Sequence, residues 1–103
     1  MMNSAQKFAI QANRAHLCVS IDLHEVIWQL RVKKILDKNT TQRIYSSDNP
    51  DDKSKALFLI ELLENRDNGW EALLDALKEA NQSQLVDLLE NSMKKPTNGI
   101  ILN

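Results

Sequence analysis

The chain has 103 residues, with thirteen Lys+Arg against fourteen Asp+Glu, a net charge of −1 and a pI near 6.1, a balance that argues against a general binder of phosphate backbones. The length suits one domain, and the scarcity of Gly (2), Pro (2) and aromatic residues (5%) favours helices over sheets. A single cysteine, Cys18, excludes an intramolecular disulfide framework and suits a reducing compartment, and the longest apolar run, residues 56–60, falls far short of the ~20 residues of a membrane span.

In chain order, the first predicted helix covers residues 3–19. Its apolar positions, Phe8, Ile10, Ala12, Ala15, Leu17 and Val19, share no single stripe, so the helix should bend or divide in two. Gln6 and Lys7 interrupt the start and no long apolar stretch follows, so no secretory leader is expected. Asn39-Thr40-Thr41 and Asn81-Gln82-Ser83 match glycosylation acceptors and are accordingly expected to stay unmodified. Asp22-x-x-Glu25 reads as a capping-box start, the Asp22 carboxylate accepting first-turn N–H groups. Leu23, Val26, Ile27 and Leu30 then follow the i, i+3, i+4, i+7 spacing of one buried face. Lys38-Asn39-Thr40-Thr41 should break this second helix, with Thr40 capping a short third one that carries Ile44 and Tyr45.

Ser46-Ser47-Asp48-Asn49-Pro50 is the strongest loop signal, and Asp51 and Asp52 follow where a helix macrodipole favours negative charge. Within residues 56–63 only Glu61 is polar, which predicts that the fourth helix is the central, most enclosed one. Asp67-Asn68-Gly69 ends it and opens a fifth, where Trp70, Leu73, Leu74 and Leu77 repeat the one-face spacing. Asn81-Gln82-Ser83 breaks the chain again, Ser83 capping a sixth helix with Leu85, Leu88, Leu89 and Met93. Residues 94–103 read as a tail or linker, because Pro96 and Gly99 oppose further helix. No segment alternates with period two. The expectation is an all-α, six-helix antiparallel bundle over residues 1–93.

Catalytic and metal-binding readings fare poorly. Cys18 and His24 are a conceivable nucleophile and base, but they fall on separate predicted helices, and Cys18 adjoins Leu17 and Val19 as a buried thiol would. His16, Cys18 and His24 lack the ligand number and spacing of a closed zinc site. Two glycines cannot build a phosphate-cradling loop. No enzyme activity, cofactor or metal is expected. Arg31, Lys33, Lys34, Lys38 and Arg43 cluster as in a helix-turn-helix reader of DNA, against which stand the balanced net charge and the acidic residues Asp48, Asp51 and Asp52 that follow. A small helical nucleic-acid-binding or regulatory domain is therefore the alternative reading. The charge is also uneven: residues 1–47 carry net +4 and residues 48–103 net −5. Such polarity suits head-to-tail contact between copies, although an ordinary solvated surface could split its charges the same way.

Three stretches carry a resemblance. Leu30-Arg31-Val32-Lys33-Lys34-Ile35-Leu36 with Thr41-Gln42-Arg43-Ile44, residues 56–63 through Gly69-Trp70 and Leu73-Leu74-Asp75-Ala76-Leu77, and Leu85-Val86-Asp87-Leu88 together resemble the caspase-recruitment domains of the death-fold superfamily. The similarity is greatest to those of antiviral RNA sensors, the mitochondrial antiviral adaptor and the lymphocyte NF-κB adaptor. It departs from the family at Asp37-Lys38-Asn39, where many members have Gly, and at Asp51-Asp52, where several have a basic start.

The resemblance implies a six-helix death fold without catalysis, cofactor or small-molecule substrate. It further implies homotypic binding to other caspase-recruitment domains, and to itself in helical oligomers, in cytoplasmic apoptotic or innate-immune signalling, with no nucleic acid as partner. By the same resemblance Lys33, Lys34, Lys38 and Arg43 would form a basic contact surface around the third helix. Asp48, Asp51 and Asp52 would form the acidic loop that meets it on the next copy. Trp70 has two expected places, in the core by its spacing and at an interface by the resemblance.

Overall fold

Three helices of this chain begin on a side chain that takes over a first-turn N–H. Asn3 accepts from the Gln6 amide at 2.9 Å, Asp37 from Thr40 at 2.7 Å and Asp51 from Ser54 at 2.8 Å. All three caps have extended backbone, ψ 172–178°, which aims the side-chain oxygen along the helix axis. Asp22 has ψ 81° and makes no such bond, so the expected capping box at Asp22-x-x-Glu25 does not form. Its N–H instead donates to Gln82 Oε1 at 2.6 Å, while Gln82 Nε2 donates to the Ser20 carbonyl at 2.8 Å. One amide side chain thereby pins two turns that lie 60 residues apart.

The computed structural model describes the backbone of residues 2–101 and the side chains of residues 2–94. Among these residues there are seven helices and no strand: α1 (Ser4–Ala12), α2 (Arg14–Ser20), α3 (Leu23–Val32), α4 (Lys38–Ile44), α5 (Asp52–Glu64), α6 (Gly69–Glu79) and α7 (Ser83–Ile101). The expected first helix is thus two, α1 and α2, which divide at Asn13. The Asn13 amide donates to the Ala9 carbonyl and to Ser92 Oγ, both at 2.8 Å, and so satisfies the buried hydroxyl of Ser92. Ala9, Ile10 and Leu17 point inward while Phe8 and Val19 stay exposed, which is why their apolar residues fit no single stripe.

Two helix boundaries differ from expectation. Residues 38–41 are helical, and the break lies earlier, at Lys33 and Lys34. Lys34 has φ 62°, and the Ile35 and Leu36 amides both fold back to the Leu30 carbonyl at 2.9 and 3.2 Å. That left-handed closure ends α3, and Asp37, not Thr40, starts α4. Likewise Ser83 is already helical rather than a cap, and α7 continues past Pro96 and Gly99 to Ile101, where no further helix was expected. Proline's fixed φ is itself helical, and the cost of keeping it inside is one missing hydrogen bond and a crowded preceding turn.

The core is one cluster whose fully buried side chains include Ile10, Leu17, Val26, Leu30, Ile44, Leu59, Ile60, Leu63, Leu73, Leu77, Leu85 and Leu89. Leu23, Val26, Ile27 and Leu30 are all inside, as their spacing predicts. The most enclosed helix is α6, with seven buried residues of eleven, against four of thirteen in α5. The reason is placement: α6 lies against α3, α5 and α7, whereas α5 packs on α2, α3, α4 and α6 but leaves the face bearing Lys53 and Glu61 in solvent. On α7, Val86 is buried and Leu88 only half-buried, which shifts the inward face by a fraction of a turn from the expected one.

Candidate protein-interaction surfaces

The residues weighed for chemistry are kept apart. Cys18 is half-buried, and burial pushes its thiol up while Arg14 and Lys53 pull the other way. His24 turns to other partners. Its Nδ1 lies 2.8 Å from the Tyr45 hydroxyl, the two rings stack with centroids 5.6 Å apart, and Nε2 lies 3.8 Å from Asp52 Oδ1. Among the described residues no group of His, Cys, Asp and Glu could hold a metal ion, and no helix is long and apolar enough to cross a membrane.

The expected contact residues, by contrast, stand at the surface, except one. Lys33 caps α3, Lys34 follows in the left-handed turn, Lys38 opens α4 and Arg43 lies in its last turn, all exposed. The Arg43 guanidinium sits over the Phe58 ring, 5.4 Å from its centroid, which holds the cation against α5. Asp48, Asp51 and Asp52 are exposed in the 46–51 loop and at the head of α5. The Ser54 backbone and side chain hold the Asp51 carboxyl below the usual carboxylate range, and Asp52 lies 3.8 Å from His24 Nε2. Among the described residues no ion pair joins the basic set to the acidic set, and both stand exposed. Trp70 is the exception. At 6% exposure it belongs to the core and offers almost nothing to a partner.

Two surface features escaped the sequence reading. Trp28 is 61% exposed on α3, with Val32 (56%) one turn further and Arg31 beside them. Its signal was there, because His24, Trp28 and Val32 recur every four residues on the face opposite Leu23, Val26, Ile27 and Leu30. The other feature is a mostly apolar groove of about 470 Å³ between α2 and the start of α5, walled by Ala15, Cys18 and Leu57. Beside it the Arg14 guanidinium places Nη2 3.1 Å from both carboxylate oxygens of Glu64 and Nη1 3.9 Å from Glu61, which ties α2 to α5.

Comparison with known proteins gives one match: a family model described as caspase recruitment domain covers residues 7–92. That span runs from the middle of α1 through about the first half of α7. No curated protein and no solved structure matches the chain.

Proposed function

The chain belongs to the caspase recruitment domain family, and on that premise we propose that it works as a homotypic interaction module that assembles with copies of itself or with related domains in cytoplasmic apoptotic or innate-immune signalling. The family is one of protein-interaction domains rather than enzymes, and its members bind other domains of the death fold. The observation that carries the reading is the match over 86 of the 103 residues, since residues 7–92 contain nearly the whole bundle. The proposed contact places Lys33, Lys34, Lys38 and Arg43 of one copy against Asp48, Asp51 and Asp52 of the next. Exposure of both sets, with no ion pair between them among the described residues, supports it. Opposite charges so placed steer encounter and fix register more than they add affinity.

A charge swap followed by size-exclusion chromatography tests this. Arg43→Glu and Asp51→Lys should each suppress self-assembly while leaving the helical circular-dichroism signal intact, and a mixture of the two should recover one compatible contact. Single variants that both assemble like the parent would refute this interface. Monomers that shift only on addition of DNA or RNA would favour the nucleic-acid-binding alternative.

A further inference from the structure

The outer face of α3 runs from an apolar pair into a cluster of cations. Trp28 is 61% exposed and Val32, one turn further, 56%, with Arg31 beside them. Lys33 and Lys34 follow in the turn and Lys38 opens α4, all exposed. Arg66, also exposed, stands across that turn in a cleft it shares with Lys34, Asp37 and Thr40. The carboxylates nearby already have partners. Asp37 accepts from the Thr40 amide at 2.7 Å, and Glu25, the one acidic residue of α3, is half-buried and accepts from Gln29 Nε2 at 2.8 Å. Lys34 adds an independent sign of use. It holds φ 62°, a torsion that glycine would adopt at lower cost, so an ammonium is kept in the turn against its backbone preference.

An indole with a polar edge settles at the boundary between lipid headgroups and acyl chains, and a branched aliphatic side chain beside it can follow the ring in. Ammonium and guanidinium groups around such a wedge meet the phosphates and carboxylates of anionic headgroups. We propose that the C-terminal end of α3 binds the surface of an anionic bilayer, with Trp28 and Val32 entering at headgroup level and Arg31, Lys33, Lys34, Lys38 and Arg66 holding the lipid charges. Binding of this kind is reversible, because two side chains or a few cations alone hold a bilayer only marginally and both are needed together. A single nucleic-acid strand suits the patch less well. Such strands are held on aromatic rings in series, and here Trp28 is the one ring among the cations, Tyr45 being stacked on His24. The surface is separate from the homotypic reading in one respect that matters for its test: Trp28 and Val32 have no part in the contact proposed there.

Tryptophan fluorescence of the dilute full chain reads this contact directly, because Trp70 is already buried and only Trp28 has solvent to lose. On vesicles of phosphatidylcholine mixed with phosphatidylserine, emission should shift to the blue and quenching by acrylamide should fall. Lipids brominated on the acyl chain should quench the indole. The chain should sediment with these vesicles, less so as salt rises, and should leave vesicles of phosphatidylcholine alone in suspension. Trp28→Ala should weaken binding about tenfold or more, the scale of losing a partly buried aromatic side chain. Lys34→Gly should weaken it about fivefold, the share of one cation at an anionic surface, while its melt moves up, so the loss cannot be laid to unfolding. Equal binding to both kinds of vesicle, a Trp28 that stays open to acrylamide on the vesicles, or two variants that bind like the parent would each overturn the proposal. So would a chain that ignores vesicles but shifts with single-stranded RNA, which would assign the patch to nucleic acid. None of these outcomes touches the charge-swap test of self-assembly, since Arg43 and Asp51 lie outside the patch.

Discussion

Lys34 and Asn81 share a backbone angle that their side chains oppose, φ 62° in each case. A left-handed residue with a Cβ costs roughly 1–2 kcal/mol, and asparagine tolerates it better than lysine. Lys34→Gly should therefore raise stability by about 1 kcal/mol in a chemical melt, and Asn81→Gly by less. The two tryptophans diverge. Trp70→Ala should cost about 3–5 kcal/mol, because it empties a packed site, whereas Trp28→Ala should leave the melt within the ordinary surface range of about 0.5 kcal/mol. For Asp37 and Asp51, bonds from the Thr40 and Ser54 amides hold the carboxyls below their ordinary values. Their contribution is present above the unfolded pKa near ~3.9 and is lost as pH falls through the lower folded value. Asp51→Asn should accordingly flatten the acid limb of a stability-against-pH curve and leave the neutral plateau nearly unchanged. The cap at Asp51 was legible because loop residues and a proline precede it. Lys34 was not, since no glycine or asparagine marks the turn it makes.

Ile60 and Leu63 show how far an element can be read from its pattern. Both are buried at 1% or less, and Ala at either should cost about 2–5 kcal/mol by denaturant melt, as expected for a position in the bundle centre. Yet α6 encloses more of its length than α5, a fact about neighbours on three sides that a hydrophobic run cannot encode. The α5–α6 turn is tighter still. A Cβ on Gly69 would stand 1.7 Å from the Leu63 carbonyl oxygen, so Gly69→Ala must prise the two helices apart, and its melt should fall by more than the ~1 kcal/mol of an ordinary substitution. Helix existence and inward faces were readable from spacing. The missing cap bond at Asp22 and the misplaced starts at Thr40 and Ser83 share a cause: capping depends on a backbone torsion, and residue type alone does not specify it.

For the molecule as a whole, the sequence yielded the fold class and the sign of each surface but missed Trp28, because attention to the buried stripe of α3 leaves its back unread. Assembly through Lys38, Arg43 and the acidic loop should weaken as salt rises, since exposed pairs are screened beyond roughly 8 Å at physiological ionic strength. Light scattering across a salt series would show this.

The amide of Asn13 has a consequence for how the chain comes to be folded. It joins the α1–α2 junction to a hydroxyl 79 residues later, and α1 finds its main packing partner in α7. A polypeptide leaves the ribosome N-terminus first, at about 5–20 residues per second. For the several seconds before residue 92 emerges, α1 therefore lacks its main packing partner, and its apolar side chains stay open to any neighbouring nascent chain. The middle helices can settle beforehand, as α2 and α6 both pack on α5, but the bundle shuts only when its last helix reaches back to its first. Translation speed and chaperone access over that interval then bear on how much of the protein arrives as single closed molecules.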